Sequence, residues 1–232
     1  MKILPLFRYF LPETCRFCKT KAALSQSIFC RNCLEKITYF PQQPERFCQV
    51  CGEEKEDGSC KNCQLRQHFF SKSHFLFFYE NTALALLQEL KFRQSRRAWD
   101  FVCQEMKTRL NFPDNGAFLP MPSSRRLAES VAYFMSQQYH GLFVNHVFQF
   151  EKESSTKKLG LRERFWHLEK MSLTPRPLPV ANFYFLVDDI YTTGATVNKA
   201  ARMIHEQRAI PIEKIFVFTL FRRRAYRRSP LR

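Results

Sequence analysis

Two kinds of apolar pattern alternate along the chain from residue 70 onward. Mostly apolar runs predict strands at 73–79, 117–122, 142–150, 183–187 and 214–221. Between these runs apolar residues recur every three or four positions, which predicts helices that contain Leu86, Val102, Val131 and Val197. Because strands that alternate with helices form right-handed β-α-β units, we predict an α/β fold with a mostly parallel sheet and helices on both faces.

The first part of the chain has a different composition. Up to residue 68 its distinctive residues are Cys, Gly, Asn and charged residues, and the apolar periodicity is missing. The change falls between Gln64 and Lys72 and divides the chain into two predicted domains, 1–68 and 69–232. With 232 residues, of which 45% are apolar, the chain can hold one α/β domain with an ordinary core and a small additional module.

Charge and hydropathy narrow the class of protein. The chain has 37 Lys and Arg against 21 Asp and Glu, a formal net charge of +16. This charge favours a phosphate-rich partner: nucleic acid, a phosphorylated small molecule or both. No apolar stretch approaches the roughly 20 residues that cross a bilayer, and Pro5, Arg8 and Pro12 interrupt the N-terminal segment before a signal-peptide core forms. We therefore expect a globular, cytoplasmic protein without a membrane span.

The cysteines have the spacing of zinc ligands. Eight of the nine form C-x-x-C pairs, namely Cys15 and Cys18, Cys30 and Cys33, Cys48 and Cys51, and Cys60 and Cys63. Each C-x-x-C turn supplies two thiolates, so the four turns predict two closed, structural zinc sites with four cysteine ligands each. Zinc and thiolate charges together would lower the net charge by about 4. The spacing favours pairing of consecutive turns, leaves an interleaved pairing open, and disfavours redox C-x-x-C chemistry.

The segment 182–196, NFYFLVDDIYTTGAT, combines two acids with a Gly-containing loop between a strand and a helix. A helix N-terminus offers free N–H groups and a positive dipole end to a phosphate, and Gly194 lets the backbone curl around the anion. Asp188 and Asp189 would repel phosphate unless they bind sugar hydroxyls or a Mg²⁺ shared with the phosphates. Phosphoribosyl pyrophosphate (PRPP) offers all of these groups. The alternatives are an ordinary β-α turn and a receiver-like acidic pocket.

The residues LVDDIYTTGAT, at 186–196, resemble the PRPP-binding signature of type I phosphoribosyltransferases. The resemblance implies a type I phosphoribosyltransferase-like fold in which Asp188 and Asp189, the candidate catalytic residues, contact the ribose hydroxyls. It also implies that the 5′-phosphate is wrapped by Thr192, Thr193, Gly194, Ala195 and Thr196.

A second segment, LPMPSSRRL at 119–127, resembles the pyrophosphate loop of the same enzymes. The resemblance implies that pyrophosphate is cradled by Ser123, Ser124 and Arg125, with Arg126 as a further candidate. Three cations in the loop 151–164 either close over the ligand or are simply solvated: Lys157, Lys158 and Arg164. The implied reaction displaces magnesium pyrophosphate from ribose C1 by a nitrogen nucleophile of unknown identity, through positioning and charge stabilisation rather than covalent catalysis.

Two zinc ribbons followed by this signature resemble the ComF family, whose ComFC-like members are linked to DNA uptake in natural transformation. The resemblance covers nearly the whole chain, including LQELKFRQSRR at 87–97, where the family has a helix that ends in a Lys-aromatic-Arg motif. The chain departs from the family at SVAYF (130–134), TKKL (156–159) and ERFWH (163–167). PRPP binding is therefore better supported than a catalysed transfer.

The alternative function is a non-catalytic, zinc-stabilised DNA-binding module that works with a DNA-translocating helicase, as the ComF resemblance implies. The tail FRRRAYRRSPLR (221–232) favours it, because six arginines with interleaved aromatic residues suit single-stranded nucleic acid. The candidate contacts are Arg222, Arg223, Arg224, Arg227 and Arg228. The competing interpretation of this tail is a solvated C-terminus.

Overall fold

In a computed structural model of the protein, the described residues are 14–20, 27–41, 43, 45–123, 125–150 and 171–224. The helices in this part of the chain are α1 (Arg31–Leu34), α2 (Lys61–Gln64), α3 (Thr82–Lys91), α4 (Arg96–Arg109), α5 (Leu127–Gln138) and α6 (Ala195–Arg208). The strands are β1 (Lys72–Phe78), β2 (Ala117–Pro120), β3 (Leu142–Phe143), β4 (Phe148–Phe150), β5 (Met171–Leu173), β6 (Tyr184–Tyr191) and β7 (Ile215–Arg222). None of these helices is long and apolar enough to cross a membrane.

Five strands form one parallel sheet in the order β1-β7-β6-β2-β3. β6 lies at its centre, where Val187 pairs with Pro120 of β2 and Asp188 pairs with Thr219 of β7. Nearly all residues of β6 and β7 are buried, as is usual for parallel strands that are covered on both faces. β4 and β5 form a separate antiparallel pair.

Helices cover both faces of the parallel sheet, as the sequence predicts. On one face α3, α4 and α5 pack through core residues that include Leu86, Val102 and Val131. On the other face α6 packs through Val197 and Ile204. Strand residues alternate between these two cores because successive side chains of a strand point to opposite faces. The fold is therefore α/β, with a five-stranded parallel sheet between helical layers.

The run 142–150 does not form the single strand that its apolar residues predict. It divides into β3, at the edge of the parallel sheet, and β4, which pairs only with β5 among the described strands. Between them His146 adopts a left-handed φ of 58°. The His146 N–H donates to the side-chain oxygen of Asn145 at 2.8 Å. This polar turn interrupts the extended backbone and directs the chain out of the parallel sheet.

The first part of the chain packs along the outer edge of β1. The Phe78 N–H donates to Thr38 O at 2.8 Å, and the Phe40 N–H donates to Leu76 O at 3.0 Å. An edge strand would otherwise expose a row of free backbone groups. The division of the chain at residue 68 stays a prediction, and these bonds tie the residues on its two sides together.

Candidate functional site

The carboxyl ends of β2 and β6 meet at a topological switch point. The two strands are neighbours, and beyond β2 the Met121 N–H donates to Val187 O at 2.8 Å. The chain leaves β2 toward α5 on one face of the sheet and leaves β6 toward α6 on the opposite face. Loops that diverge in this way open a crevice where α/β sheets bind ligands. The described residues of segment 119–127 therefore lie beside segment 186–196.

The two acids lie inside β6, because this strand is longer than the predicted run 183–187. Asp189 is 7% exposed and forms an ion pair with Lys91, the last residue of α3. Asp188 Oδ1 accepts a hydrogen bond from the Asp189 N–H at 2.8 Å. The resemblance to the ComF family implied that the segment 87–97 contains a helix ending in a Lys-aromatic-Arg motif. It assigned no role to Lys91, which the fold places against the acid pair.

The carboxyl of Asp188 holds its proton unusually tightly. Burial and, next, the charge of Asp189 raise the pKa of Asp188 to about 7, although the Asp189 N–H and Lys91 act in the opposite direction. A group with this pKa is only partly ionised at neutral pH. Hydroxyl donors or a cation at the crevice would favour the charged carboxylate. The acid pair is therefore suited to bind a cation, sugar hydroxyls or both.

Residues 192–194 form the turn between β6 and α6, and Ala195 and Thr196 are the first two residues of α6. Gly194 is the N-cap of α6 and has a φ of 74°. A Cβ at this position would lie 2.1 Å from the hydroxyl oxygen of Tyr191, so only glycine fits without displacement. The Thr193 hydroxyl accepts a hydrogen bond from the Ala195 N–H at 3.3 Å. The turn presents the N-terminus of a 14-residue helix, which is the geometry of an anion site.

A surface cavity of about 810 Å³ opens onto this turn. Its wall includes the turn residues Thr193, Gly194 and Ala195, the cations Arg66, Lys199 and Arg202, and the carboxylate of Glu206. Three cationic side chains against one acid make this wall electropositive. Such a surface raises the local concentration of phosphate groups.

The loop after β2 reaches the same crevice from the other side. Ser123 Oγ accepts a hydrogen bond from the Arg125 N–H at 3.4 Å. The Arg125 guanidinium lies 4.9 Å from the centroid of the Phe92 ring, and Phe92 directly follows Lys91 at the end of α3. The loop of segment 119–127 and the acid pair of β6 therefore meet the same helix end. Arg126 is exposed just before α5.

The eight paired cysteines form two clusters, in each of which the four sulfur atoms lie within 4.8 Å of one another. The first cluster is Cys15, Cys18, Cys30 and Cys33, and the second is Cys48, Cys51, Cys60 and Cys63. The sulfur atoms are separated by 3.9 Å in the pair Cys18 and Cys30, 3.5 Å in Cys48 and Cys63, and 3.4 Å in Cys51 and Cys60. Thiolates bound at about 2.3 Å to a tetrahedral zinc lie about 3.8 Å apart. The clusters confirm the pairing of consecutive turns.

The donor set of these clusters fits Zn²⁺. Four thiolates this close together repel one another without a cation. The pKa of Cys51 is raised, first by the hydrogen bond of this residue with Cys48 and then by burial. Burial raises the pKa of Cys63 to about 12. A zinc ion would hold all four sulfurs as thiolates. His68 Nε2 lies 3.5 Å from Cys63 Sγ, where an N–H donor would stabilise the charge on a zinc-bound sulfur.

The first cysteine cluster braces α3, the helix that carries Lys91. At its start, the buried Thr82 hydroxyl donates to Cys33 O at 2.8 Å. Near the end of α3, the buried Glu89 carboxylate pairs with Arg93 at 2.7 Å. The same carboxylate lies 3.9 Å from Nε of Arg16, which belongs to the first C-x-x-C turn. These contacts fix where Lys91 is presented to the acid pair.

The arginines of the C-terminal tail occupy different environments. Arg222 is the last residue of β7 and is 1% exposed, so it does not fit the prediction that it contacts nucleic acid. Arg223 and Arg224 are exposed, and Arg224 pairs with Glu80 at 3.4 Å. The remaining predicted ligand contacts lie outside the described residues: Ser124, Lys157, Lys158, Arg164, Arg227 and Arg228.

Comparison of the chain with protein-family models and with curated proteins found no match. The likeness to type I phosphoribosyltransferases and to the ComF family stays a resemblance of motifs. The crevice and the two cysteine clusters are therefore what support a function.

Proposed function

We propose that the protein binds PRPP together with Mg²⁺ in the crevice beyond β2 and β6. One observation carries the proposal: three different groups lie together at one switch point. They are the acid pair of β6, the glycine turn at the start of α6, and the loop of Ser123 and Arg125 after β2. PRPP combines ribose hydroxyls, a 5′-phosphate and a pyrophosphate, which match these groups one to one.

The acid pair suits the ribose hydroxyls and Mg²⁺. Because Asp188 is partly buried beside Asp189 and its pKa is raised, its charged form has the most to gain from a hydroxyl donor or a cation. Lys91 already balances part of the charge of Asp189. Carboxylate oxygens are the protein ligands that Mg²⁺ prefers. A bound Mg²⁺ would neutralise part of the negative charge of the pyrophosphate.

The two ends of the ligand carry phosphate groups, and each has a matching loop. The 5′-phosphate would lie against the turn at Gly194, where free N–H groups and the helix dipole attract an anion. The pyrophosphate would lie toward Ser123 and Arg125, whose hydroxyl and guanidinium are donors suited to phosphate oxygens. The electropositive cavity beside the turn supports the same orientation.

Transfer of phosphoribose to a nitrogen acceptor is the enzymatic form of this proposal. The acceptor nitrogen would bond to ribose C1 while the bond from C1 to the pyrophosphate oxygen breaks. Pyrophosphate would leave with the bonding electrons, and the nitrogen would lose a proton. The reaction needs positioning of the ribose by Asp188 and Asp189 and stabilisation of the leaving charge by Arg125 rather than a covalent nucleophile.

Together with the two cysteine clusters, the crevice is the basis for proposing a ComF-like role in DNA uptake. The second candidate is a non-catalytic DNA-binding module that works with a DNA-translocating helicase. It is favoured by the exposed Arg223 and Arg224, which line a cavity of about 440 Å³ together with Thr192 and Thr193. Removal of residues 223–232 should weaken binding to single-stranded DNAs of different sequence by similar factors and flatten its salt dependence. Unchanged binding would exclude a contact by the tail.

The acid pair can be tested by calorimetric titration with PRPP and Mg²⁺. The double variant Asp188→Asn, Asp189→Asn should lose affinity by on the order of tenfold or more while it keeps its zinc content and its circular dichroism spectrum. Asp114→Asn is the matched control, because Asp114 is an exposed carboxylate before β2, at the opposite end of the strand. Wild-type affinity in the double variant would refute the role of the acids, and loss of folding would make them structural.

A further inference from the structure

Arg222 joins the second cysteine cluster to the turn at Gly194. It lies at the end of β7 and is 1% exposed. On the cluster side, Nε donates to Cys51 O at 3.0 Å and Nη2 pairs with the Glu53 carboxylate. On the turn side, Nη1 donates to Thr192 O at 3.0 Å and lies 3.4 Å from Tyr191 O. The side chain of Arg222 therefore contacts both a residue of the second cysteine cluster and the backbone of the turn at Gly194.

The burial of this guanidinium makes its partners necessary. A buried charge is tolerated only when it is paired and its N–H groups are hydrogen-bonded. Glu53 provides the opposite charge, the backbone carbonyls provide acceptors, and the Tyr191 ring lies 4.8 Å from the guanidinium carbon. A shift of Cys51 or Glu53 would leave donors without acceptors and would disturb the backbone at Thr192.

A metal ion would fix the cluster side of this connection. Cys51 is a member of the second cluster, and Glu53 lies two residues beyond it. A shared zinc ties the turn of Cys48 to that of Cys60 through four metal–sulfur bonds, whereas the free thiols join the two turns only through weaker sulfur–sulfur hydrogen bonds. The position of Cys51 O, and with it the partner of Arg222, therefore depends on the metal.

We propose that Arg222 is a positioning residue through which the second cysteine cluster holds the phosphate-binding turn. Loss of metal from this cluster should open the turn and lower the affinity for a phosphorylated ligand. The statement about affinity rests on the proposed function, whereas the coupling of cluster and turn does not. The first cluster provides an internal comparison, because its contacts described above go to Thr82 and Glu89 of α3.

Amide hydrogen exchange, measured by NMR on the full, zinc-loaded chain, tests the coupling without any ligand. The Asn198 N–H donates to Gly194 O and the Arg223 N–H donates to Tyr191 O, both at 2.9 Å. Their exchange rates therefore report opening at the two ends of the turn. The Met121 N–H, which bonds to β6 at 2.8 Å, reports on the neighbouring strands.

The metal side of the test compares the two clusters. Cys60→Ser removes one ligand of the second cluster and should speed exchange at Asn198 and Arg223 by about tenfold or more, with Met121 unchanged. Cys18→Ser removes one ligand of the first cluster and is the matched control. It should leave the exchange of all three amides at the wild-type rates.

The arginine side of the test asks whether the effect passes through Arg222. Arg222→Gln should reproduce the acceleration caused by Cys60→Ser, and the two changes together should be no faster than either alone. Arg208→Gln is the matched control, since Arg208 also donates to two backbone carbonyls, those of Thr174 and Arg176, but at the far end of α6. It should leave the amides of the turn unchanged.

Several results would overturn the coupling. Unchanged exchange at the turn in Cys60→Ser, or additive effects of Cys60→Ser and Arg222→Gln, would refute it. Acceleration that includes Met121 would indicate a general loss of stability and would refute it as well. If Arg222→Gln does not fold, Glu53→Gln takes its place and should show a smaller acceleration confined to the turn.

Calorimetric titration of the wild-type chain with PRPP and Mg²⁺ separates this inference from the proposed function. Absence of binding together with a coupled turn would refute PRPP binding and leave the coupling in place. Binding that weakens in Cys60→Ser and Arg222→Gln, but not in Arg208→Gln, is the result expected if both are correct. Wild-type affinity in both Cys60→Ser and Arg222→Gln would refute Arg222 as a positioning residue for the ligand.

Discussion

The ion pair of Lys91 and Asp189 permits a quantitative test of the electrostatics of the crevice. The two side chains are 18% and 10% exposed. Lys91→Met retains the apolar stem but leaves a mostly buried carboxylate beside Asp188 without its counter-charge. Removal of one partner of a buried pair costs about 3–5 kcal/mol, and the remaining exposure should reduce the loss of unfolding free energy here to roughly 2–3 kcal/mol.

Urea unfolding in zinc-containing buffer, followed by tryptophan fluorescence, measures this loss. Lys107→Met is the matched control, because Lys107 is exposed on α4, and its unfolding free energy should stay within about 0.5 kcal/mol of wild type. Adding Asp189→Asn to Lys91→Met should recover most of the stability, since no orphaned charge remains. The loss should also shrink at acid pH, where the carboxyls take up protons.

A loss in Lys91→Met no larger than that in Lys107→Met would refute the argument that a buried pair is broken. Failure of Asp189→Asn to recover stability would refute it too, because it would place the cost in packing rather than in charge.

Three further predictions concern substitutions at single residues. Because the folded-state pKa of Asp188 is raised to about 7, ionisation of this group costs stability as pH rises through about 7; Asp188→Asn should therefore be more stable than wild type at about pH 8 and lose this advantage near pH 4. Gly194→Ala combines a φ of 74° with a Cβ placed against the Tyr191 hydroxyl, and calorimetry should show ribose 5-phosphate affinity reduced by about tenfold or more. Burial, and next Lys72, lower the pKa of His74 from 6.5 to about 4, so stability should fall as pH drops through this range, and His74→Leu should flatten that fall in urea unfolding.

The parts of the fold that could be predicted are those in which a short segment determines its own environment. The apolar run that became β6 and the periodic stripe of α6 each indicate a buried element without reference to the rest of the chain. The grouping of the cysteines follows from the length of chain between the C-x-x-C turns. Pairing consecutive turns closes the shortest loops and therefore costs the least conformational entropy. The glycine turn could be predicted because the left-handed φ of Gly194 restricts the residue type at this position locally.

The parts that could not be predicted depend on contacts between distant segments. Lys91 meets Asp189 only because α3 ends beside the carboxyl end of β6. Arg222 belongs to the same arginine-rich segment as the exposed Arg223 and Arg224, and its burial results from docking of the second cysteine cluster against the sheet. The run 142–150 is apolar throughout much of its length, and the turn at His146 that divides it has no strong signal such as Gly or Pro.

The proposal of PRPP binding is tested most directly by calorimetric titration of the wild-type, zinc-loaded protein with PRPP and Mg²⁺, beside the same titration with ribose 5-phosphate. We expect saturable binding of PRPP that is tighter than that of ribose 5-phosphate, because only PRPP engages the loop of Ser123 and Arg125. Absence of saturable binding, or equal affinity for the two ligands, would contradict the assignment of the crevice to PRPP.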